Sequence, residues 1–196
     1  MYKNKSLLKG KLNTQIASPL LNLTDSGLLP QGLCSCLYDD EGCATQETPL
    51  VEAGYLREYL YDLKNATRNK KKPTGNSFRA SYKSLPFIMP SNFYLTPGKE
   101  SPDSFMHDLK YALYIFEVMG LHTVNPISGE FSIGAQGIVI ENGKKTQGVK
   151  NIMLAGNLLD FMKNIIFVGS DLNFFLGEGN IGTSTLGVKE VMVGGA

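Results

Sequence analysis

The stretch that decides the fold runs from Leu121 to Val168 and reads LHTVNPISGEFSIGAQGIVIENGKKTQGVKNIMLAGNLLDFMKNIIFV. Asn142-Gly143 supplies the two positive-φ positions of a type I′ turn, and the opposite charges of Glu141 and Lys144 face each other across it. A second strand is predicted from about Thr146 to Leu154, which makes this part of the chain a β-hairpin. The first strand alternates with period 2, which places one set of residues on one side of it: Phe131, Ile133, Ala135, Gly137 and Val139.

A short helix is predicted directly after the hairpin. Asn157 can cap its first turn, with Asp160 three residues further on. The helix carries an apolar stripe and leads into a buried strand that ends at Val168. The stripe consists of Leu158, Phe161, Met162 and Ile165.

Upstream of this stretch the chain predicts a pair of strands and a helix. The strands span Thr48 to Val51 and Tyr55 to Tyr61, and they are joined at Ala53-Gly54. Asp62 is a plausible N-cap for a helix that ends at about Asn69.

The strongest helix signal runs from Pro102 to Met119. Ser101 caps it, Pro102 occupies its first position and Gly120 ends it. Both sides are apolar, so we expect it to be buried on both sides. Downstream, Leu172–Ser184 is predicted to be a glycine-rich loop and Thr185–Val193 a closing strand. The fold class is therefore α+β, mainly antiparallel sheet with two to three helices.

Composition excludes several classes of function. The 196 residues include 42% hydrophobic ones and carry a formal charge of +1, which describes an ordinary globular domain without the basic face of a nucleic-acid binder. The basic run Arg68–Lys72 is interpreted as a solvated helix end. No apolar run reaches the roughly 18 residues of a membrane span, and the first residues lack a secretory signal. We expect a cytoplasmic protein that binds neither membrane nor nucleic acid.

Three cysteines are the most reactive side chains in the sequence. Cys34, Cys36 and Cys43 are an odd number, which favours a reducing compartment. A structural zinc site needs a fuller tetrahedral set of thiolates or imidazoles, and neither His107 nor His122 is near them in the sequence. Incidental free thiols are favoured over metal binding. The acidic stretch Asp39–Gly42 lacks calcium-loop spacing and is interpreted as a solvated turn.

Candidate binding residues lie around the first hairpin strand. Gly134 and Gly137 inside the strand indicate a bulge or a close backbone approach, including an approach to a bound peptide. His122 follows Gly120-Leu121 and is open to two interpretations, a structural histidine or one that lines a cleft. His107 is predicted to lie on the surface.

Ordered segments along almost the whole chain, from Ser6 to Val193, resemble the C-terminal domain of the TldD/PmbA family of metallopeptidase-related proteins. They are Lys11-Leu12, Ala17-Ser18-Pro19-Leu20, Asp40-Glu41-Gly42, Leu50-Val51-Glu52-Ala53-Gly54, Pro90-Ser91-Asn92, Asn125-Pro126-Ile127-Ser128-Gly129-Glu130-Phe131-Ser132, Ile140-Glu141-Asn142-Gly143 and Ala155-Gly156-Asn157.

The resemblance implies a domain that follows an N-terminal α+β domain and assembles as a dimer. One branch of the family carries His-Glu-x-x-x-His and a downstream Cys, binds zinc and cleaves peptides; the other lacks these ligands and is its partner. The family's label as a modulator of DNA gyrase implies no DNA chemistry here. By this resemblance, residues 1–33 are a lead-in segment from a missing N-terminal domain and residues 34–196 form the C-terminal domain.

This sequence departs from the zinc-binding pattern. His107 and His122 are followed by Asp108 and Thr123, so the zinc motif is absent, and Leu172–Ser184, which resembles the Cys-bearing segment, has no Cys. The resemblance is therefore closest to the non-zinc, PmbA-type subunit. It implies no catalytic residue, no metal ligand and no cofactor in this chain, with zinc expected only in a TldD-type partner.

The partner is expected to be a TldD-type subunit or a second copy of the chain, with a peptide as a possible substrate. The expected peptide-binding residues are His122, Asn125, Ser128, Gly134 and Gly137.

Two other interpretations stay open. The chain could be the detached half of an active zinc metallopeptidase, in which case the DNA upstream of Met1 encodes an in-frame His-Glu-x-x-x-His, or it could be a non-functional gene fragment. If an N-terminal domain is missing, an apolar surface should be exposed, and the isolated chain should self-associate or bind hydrophobic dye. The residues expected to be exposed are Leu20, Leu21, Leu28, Leu29 and the second side of the Pro102–Met119 helix.

Overall fold

The computed structural model describes residues 6–177 and 179–195. The predicted α+β class is confirmed, with antiparallel strands dominating over short helices. The strands are β1 (Leu23–Ser26), β2 (Glu47–Glu52), β3 (Tyr55–Leu56), β4 (Ser77–Phe78), β5 (Phe87–Ile88), β6 (Asn92–Leu95), β7 (Tyr111–Met119), β8 (Glu130–Glu141), β9 (Lys144–Asn157), β10 (Ile165–Val168), β11 (Asn173–Gly177), β12 (Gly179–Thr183), β13 (Leu186–Val188) and β14 (Met192–Gly194). The helices are α1 (Leu63–Asn69), α2 (Pro102–His107) and α3 (Leu158–Lys163), with a 3₁₀ turn at Leu121–Thr123.

Two larger sheets organise the described part of the chain. One has six strands in the order β11-β12-β6-β1-β2-β3, and the other has four in the order β14-β9-β8-β7. β12 runs parallel to β6, whereas the other pairs of these two sheets are antiparallel. Two small sheets, β10-β13 and β4-β5, complete the set.

The central hairpin β8–β9 is confirmed. Asn142 and Gly143 take φ values of 49° and 74°, as a type I′ turn requires, and Glu141 is the strand partner of Lys144. The two strands are longer than predicted. A register shift between Ala135 and Gly137 breaks the simple alternation, and Asn151 on β9 takes a positive φ of 56° at this shift.

The short helix α3 also forms as predicted and attaches the hairpin to the core. The Asn157 side chain accepts a hydrogen bond from the backbone N–H of Leu159 at 3.0 Å. Phe161 meets Phe131 of β8 edge to face, with ring centroids 6.1 Å apart. Ile165, only 3% exposed, then opens β10.

The hydrophobic core lies between the six-stranded sheet and the α3–β10 segment. Burial of these side chains provides the main favourable free energy of folding. Its buried members are Ile16, Ala17, Leu21, Val51, Leu56, Leu95, Ile165 and Val168.

The expectation that Leu21 lies exposed is wrong, because it is 3% exposed inside the core. The backbone N–H of Gly54 bonds to the carbonyl of Leu21 at 3.0 Å, which brings the segment before β1 onto the β2–β3 turn. Leu20 and Leu28 are 49% and 52% exposed, and Leu29 is half-buried. The exposed apolar surface at this end of the domain is therefore smaller than expected.

The helix predicted from Pro102 to Met119 is wrong beyond its first turns. Ser101 caps α2 as expected, but α2 ends at His107 and the rest forms strand β7, paired along its length with β8. Tyr, Ile, Phe and Val suit a strand better than a helix, and pairing with β8 outweighs the helical pattern. The apolar residues on both sides of the segment Tyr111–Met119 were the sequence signal for this strand.

The β2–β3 turn and helix α1 match their predictions, although the second strand is shorter than expected. Ala53 and Gly54 both take positive φ, and the Asp62 side chain caps α1 through the N–H of Asn65. β3 ends at Leu56, and further along the predicted strand the backbone N–H of Tyr61 donates to the Thr74 side chain at 2.9 Å.

The prediction of a glycine-rich loop at Leu172–Ser184 is also wrong. β11 and β12 form a hairpin there and add to the six-stranded sheet. A Cβ on Gly182 would come within 2.7 Å of the Tyr94 Cβ and of the Phe174 ring, so this glycine permits close packing. The predicted closing strand is two strands in two sheets, β13 against β10 and β14 against β9.

None of the helices in residues 6–177 and 179–195 has the length and apolarity that crossing a bilayer requires.

Candidate functional site

The segment before β8 is a tight turn shaped by two of the predicted binding residues. The Asn125 side chain accepts hydrogen bonds from the N–H groups of Ile127 and Ser128 at 2.9 and 3.2 Å, as in an Asx turn. The Ser128 hydroxyl donates to the Glu130 carboxylate at 3.1 Å. The polar atoms of Asn125 and Ser128 therefore hold the turn itself.

The same turn is attached to the end of β9. The Asn157 amide donates to the carbonyl of Ser128 at 2.8 Å, and the N–H of Leu158 donates to the carbonyl of Gly129. Gly129 takes a φ of 77°, and a Cβ there would lie 2.8 Å from Leu7. The turn is thus held rigidly beside α3.

His122 lies in the 3₁₀ turn that connects β7 to this segment, and its side chain is exposed. Thr123 anchors the turn through hydroxyl hydrogen bonds to the carbonyls of Gly120 and Ser132 at 2.8 and 3.1 Å. His122 can therefore meet a ligand from solvent, but within the described residues no cleft encloses it. His107, expected on the surface, has a side chain that is 85% exposed.

Gly134 and Gly137 occupy different environments on β8. A Cβ on Gly134 would lie 3.6 Å from the methyl of Met119, an ordinary contact. A Cβ on Gly137 would lie 2.5 Å from the backbone oxygen of Tyr114, next to the register shifts that interrupt this sheet. The close backbone approach predicted from Gly137 is therefore an approach to β7.

The five predicted binding residues do not converge on a cavity. His122, Asn125 and Ser128 share the β7–β8 connection, and Gly134 and Gly137 lie further along β8. The two cavities beside α3 are lined by other residues. Peptide binding by these five residues stays a prediction.

The two cavities flank Phe161 of α3. One, of about 190 Å³, lies over the six-stranded sheet and is lined almost wholly by apolar side chains, including Leu23, Phe93 and Ile181. The other, of about 180 Å³, lies over the end of the four-stranded sheet and adds the polar side chains of Asp160 and Glu190. Either is large enough for one side chain of a bound polypeptide and too small for a drug-sized ligand.

A buried polar cluster inside the six-stranded sheet was missed from the sequence. Asp25 of β1 is 1% exposed and accepts hydrogen bonds from the Asn76 amide at 2.6 Å and from the N–H and hydroxyl of Ser91 at 2.8 and 2.9 Å. Burial raises the pKa of Asp25 above its ordinary value, although the hydrogen bonds from Asn76 and Ser91 oppose the shift.

The cluster continues toward the β11–β12 hairpin. Asn92 donates to the carbonyl of Ser26 at 2.7 Å and accepts from the amides of Cys34 and Asn180. This explains why Ser91 and Asn92 are polar although both are buried. Two features of the sequence could have revealed the cluster: the Ser91-Asn92 pair among apolar residues and the Asp in the first strand. Its role is to join β1, β6 and β12.

The acidic stretch at Asp39 is a hydrogen-bonded turn. One Asp39 carboxylate oxygen accepts from the N–H groups of Glu41 and Cys43 at 3.0 and 2.9 Å, and the other accepts from Ser77 at 3.1 Å. Gly42 takes a φ of 76°. The turn is confirmed, but Asp39 is 6% exposed and is more buried than a solvated turn implies.

The cysteines are free and half-buried. Burial raises the pKa of the Cys36 and Cys43 thiols, and the nearby carboxylate of Asp39 raises both further. The thiolate form that attacks electrophiles and binds metal is therefore scarcer than for an ordinary cysteine.

The described side chains do not fit the zinc site of the family's peptidase branch. Zinc is held by clustered thiolate, imidazole and carboxylate ligands, and no three such side chains meet within residues 6–177 and 179–195. Asp171 and Thr185 flank Leu172–Ser184, the segment that resembles the Cys-bearing one, and the Thr185 hydroxyl and N–H donate to the Asp171 carboxylate at 2.7 and 3.0 Å.

Comparison with known proteins supports the resemblance along the whole chain. The family model described as PmbA/TldA metallopeptidase C-terminal domain matches residues 1–195. A metalloprotease TldD homolog of Buchnera aphidicola is 33% identical over 181 residues, which cover 92% of this chain and 37% of that protein. The chain spans about two fifths of the length of the curated relatives that it matches.

Solved structures agree. A protein of Thermotoga maritima described as a DNA gyrase modulator is 36% identical, with a TM-score of 0.88 over 98% of this chain and 43% of its own. TldE from Thermococcus kodakarensis has a TM-score of 0.92 over 99% of this chain and 44% of its own, and its 24% identity shows the fold alone. The chain belongs to the PmbA/TldD metallopeptidase-related family and corresponds to its C-terminal domain.

Proposed function

We propose that this chain acts in proteolysis as a PmbA-type, non-catalytic partner of a zinc metallopeptidase of the TldD type. The observation that carries the proposal is the combination of a family domain over residues 1–195 with a segment, Leu172–Ser184, that resembles the Cys-bearing one and has no Cys. The zinc and the bond cleavage then belong to the other subunit.

The amount of exposed surface is large for a domain of this size and is compatible with a partner. The chain exposes 12157 Å², whereas a folded monomer of 21.4 kDa is expected to expose about 9,100 Å². The excess of roughly 3,000 Å² has the size of a large protein interface, which a partner subunit or a further domain would cover. The partner can be a TldD-type subunit or a second copy of the chain, and a cytoplasmic location, suggested by the odd number of cysteines, belongs to the same proposal.

The proposal also includes a role in handling extended peptides, and strand β7 supports this role. It is the edge strand of the four-stranded sheet, and Tyr111 and Phe116 on it are 73% and 56% exposed. An edge strand offers unpaired backbone groups to a peptide that adds as a further strand. His122 and Gly134 lie next to this edge, which is why they stay the proposed contacts, with Asn125, Ser128 and Gly137 shaping the same region.

The test is co-expression with a TldD-type subunit carrying an affinity tag. We expect the two chains to co-purify at equal stoichiometry and the peptidase activity on an unfolded substrate to differ from that of the tagged subunit alone. Failure to co-purify together with unchanged activity would refute the partner role.

The peptide-handling step needs its own variants. Phe116→Lys adds a charge on the β7 edge, and Ile166→Lys adds one to β10, where Ile166 is 44% exposed. We expect the first to weaken cleavage of unfolded substrate without loss of co-purification, and the second to have little effect. Equal effects of the two variants would exclude the β7 edge.

A further inference from the structure

Three methionines lie on one face of the four-stranded sheet. Gly134 of β8 is the strand partner of both Met119 on β7 and Met153 on β9. Met192 on β14 pairs with Ala155, two positions beyond Met153 on β9. Because direct partners and alternate residues share a side of a sheet, the three side chains project from the same face, which we call the methionine face.

The methionine face is open to solvent. Met119, Met153 and Met192 are 42%, 53% and 71% exposed. The other methionines in the described ranges, Met89, Met106 and Met162, are half-buried. The three most exposed thioethers among the described residues are thus gathered on one surface.

Small residues beneath the thioethers leave them accessible. Gly134 and Gly194 flank Met153 on its neighbouring strands, and they have no side chain to shield its sulfur. The opposite face of the sheet is the packed one, since Ala135 is fully buried and Ile152 is 8% exposed. An outward face is usually polar in such a sheet, as Glu117 and Gln136 are on this one, so three thioethers beside them are unusual.

We propose that Met119, Met153 and Met192 form an oxidation site, at which a hydroperoxide such as hydrogen peroxide converts the thioethers to sulfoxides. The sulfur lone pair attacks one peroxide oxygen, an S–O bond forms and the O–O bond breaks. The proton on the attacked oxygen passes to the second oxygen, which leaves as water from hydrogen peroxide and as an alcohol from an organic hydroperoxide. Each sulfur is oxidised by two electrons and each peroxide is reduced by two, so no further reactant is required.

The modification changes the character of the surface. A sulfoxide is polar and accepts hydrogen bonds, whereas the thioether is apolar and flexible. Three conversions side by side turn the methionine face from an apolar surface into a polar one. An apolar contact made through this face therefore weakens on oxidation.

The first experiment is limited oxidation of the full chain with hydrogen peroxide, sampled over time and read by peptide mass mapping. We expect Met119, Met153 and Met192 to oxidise several-fold faster than the half-buried set. If Met89, Met106 or Met162 oxidises as fast as these three, the site does not exist as proposed. Because this measurement uses the unaltered protein, it does not depend on whether a variant folds.

The second experiment links oxidation to the surface through binding of a hydrophobic dye. Matched variants replace either the exposed set (M119L, M153L, M192L) or the half-buried set (M89L, M106L, M162L). Peroxide should lower dye binding of the natural chain and of the second variant, and leave the first unchanged. An equal loss of dye binding in the first variant would overturn the proposed effect on the face.

Discussion

Gly137→Ala should destabilise the chain through a clash with the neighbouring strand. The new Cβ would lie 2.5 Å from the backbone oxygen of Tyr114 and 3.1 Å from Cδ1 of Ile115. A backbone oxygen cannot rotate away, so β7 must move, and overpacking of this kind costs about 1–3 kcal/mol. Alanine has less conformational freedom than glycine in the unfolded chain, and this difference stabilises the folded state by about 0.5–1 kcal/mol. The net expected destabilisation is about 1–2 kcal/mol.

Gly134→Ala is the matched control on the same strand. Its Cβ would lie 3.6 Å from the methyl of Met119, which is an ordinary contact. The stabilisation from the lower entropy of the unfolded chain is therefore not offset by a clash. We expect a change between zero and about 1 kcal/mol in favour of folding. The two variants should then differ by about 2 kcal/mol, which corresponds to roughly 4–8 °C in Tm for a domain of this size.

Urea unfolding followed by circular dichroism measures the difference, with a thermal scan as a second measurement. Equal stability of Gly137→Ala and Gly134→Ala would refute the close approach of β7 to β8. A third result is informative about function: if Gly137→Ala is as stable as the natural chain but loses peptide handling, Gly137 contacts the peptide and not β7.

Three further predictions concern the core and two carboxylates. Leu21→Ala should cost about 2–5 kcal/mol in urea unfolding and Leu20→Ala well under 1 kcal/mol, because only the first leaves a cavity; similar costs would place Leu21 outside the core. Burial raises the pKa of Asp25, so the stability that its protonation contributes is full below the ordinary value near 3.8 and is lost as pH rises through the raised value. Asp25→Asn should flatten that part of the curve of unfolding free energy against pH. An unchanged slope would contradict the assignment. Burial opposes ionisation of Asp171, but hydrogen bonds from Thr185 outweigh it and lower its pKa, so this stability is present at neutral pH and lost as pH falls through the lowered value. Thr185→Val should cost on the order of 1 kcal/mol at neutral pH and less once Asp171 is protonated, because a hydrogen bond to a neutral carboxyl is weaker. Unfolding curves at two pH values would reveal the difference, and equal costs would contradict the assignment.

The features that the sequence predicted correctly depend on nearby residues. The turn at Asn142-Gly143 and the caps at Asp62 and Asn157 are set by backbone geometry and by hydrogen bonds that reach three residues at most. Local chemistry of this kind is visible in the sequence itself. The family resemblance, carried by short ordered segments, is confirmed for the same reason.

The features that the sequence missed depend on distant partners. Tyr111–Met119 became a strand because β8 lies beside it, and Gly182 serves close packing because Tyr94 and Phe174 occupy the space around it. The helical spacing and the glycine content suggested other structures, and only tertiary contacts decide between them.

The candidate site shows the same division. Gly137 was recognised as a point of close approach, but the approaching group, the backbone of Tyr114, could not be known without the fold. The Asp25 cluster joins residues up to 88 positions apart, and no spacing rule connects them.

Residues 173–194 contribute strands to three different sheets, through β11 and β12, then β13, then β14. None of these sheets is complete until that segment has left the ribosome, and the parallel pairing of β12 with β6 spans a long stretch of chain. Distant pairings of this kind form slowly. During synthesis the β1–β2 pair and the β8–β9 hairpin can assemble early, but the three sheets can close only after residues 173–194 have emerged. A chaperone that shields apolar edges until then should raise the yield of native protein.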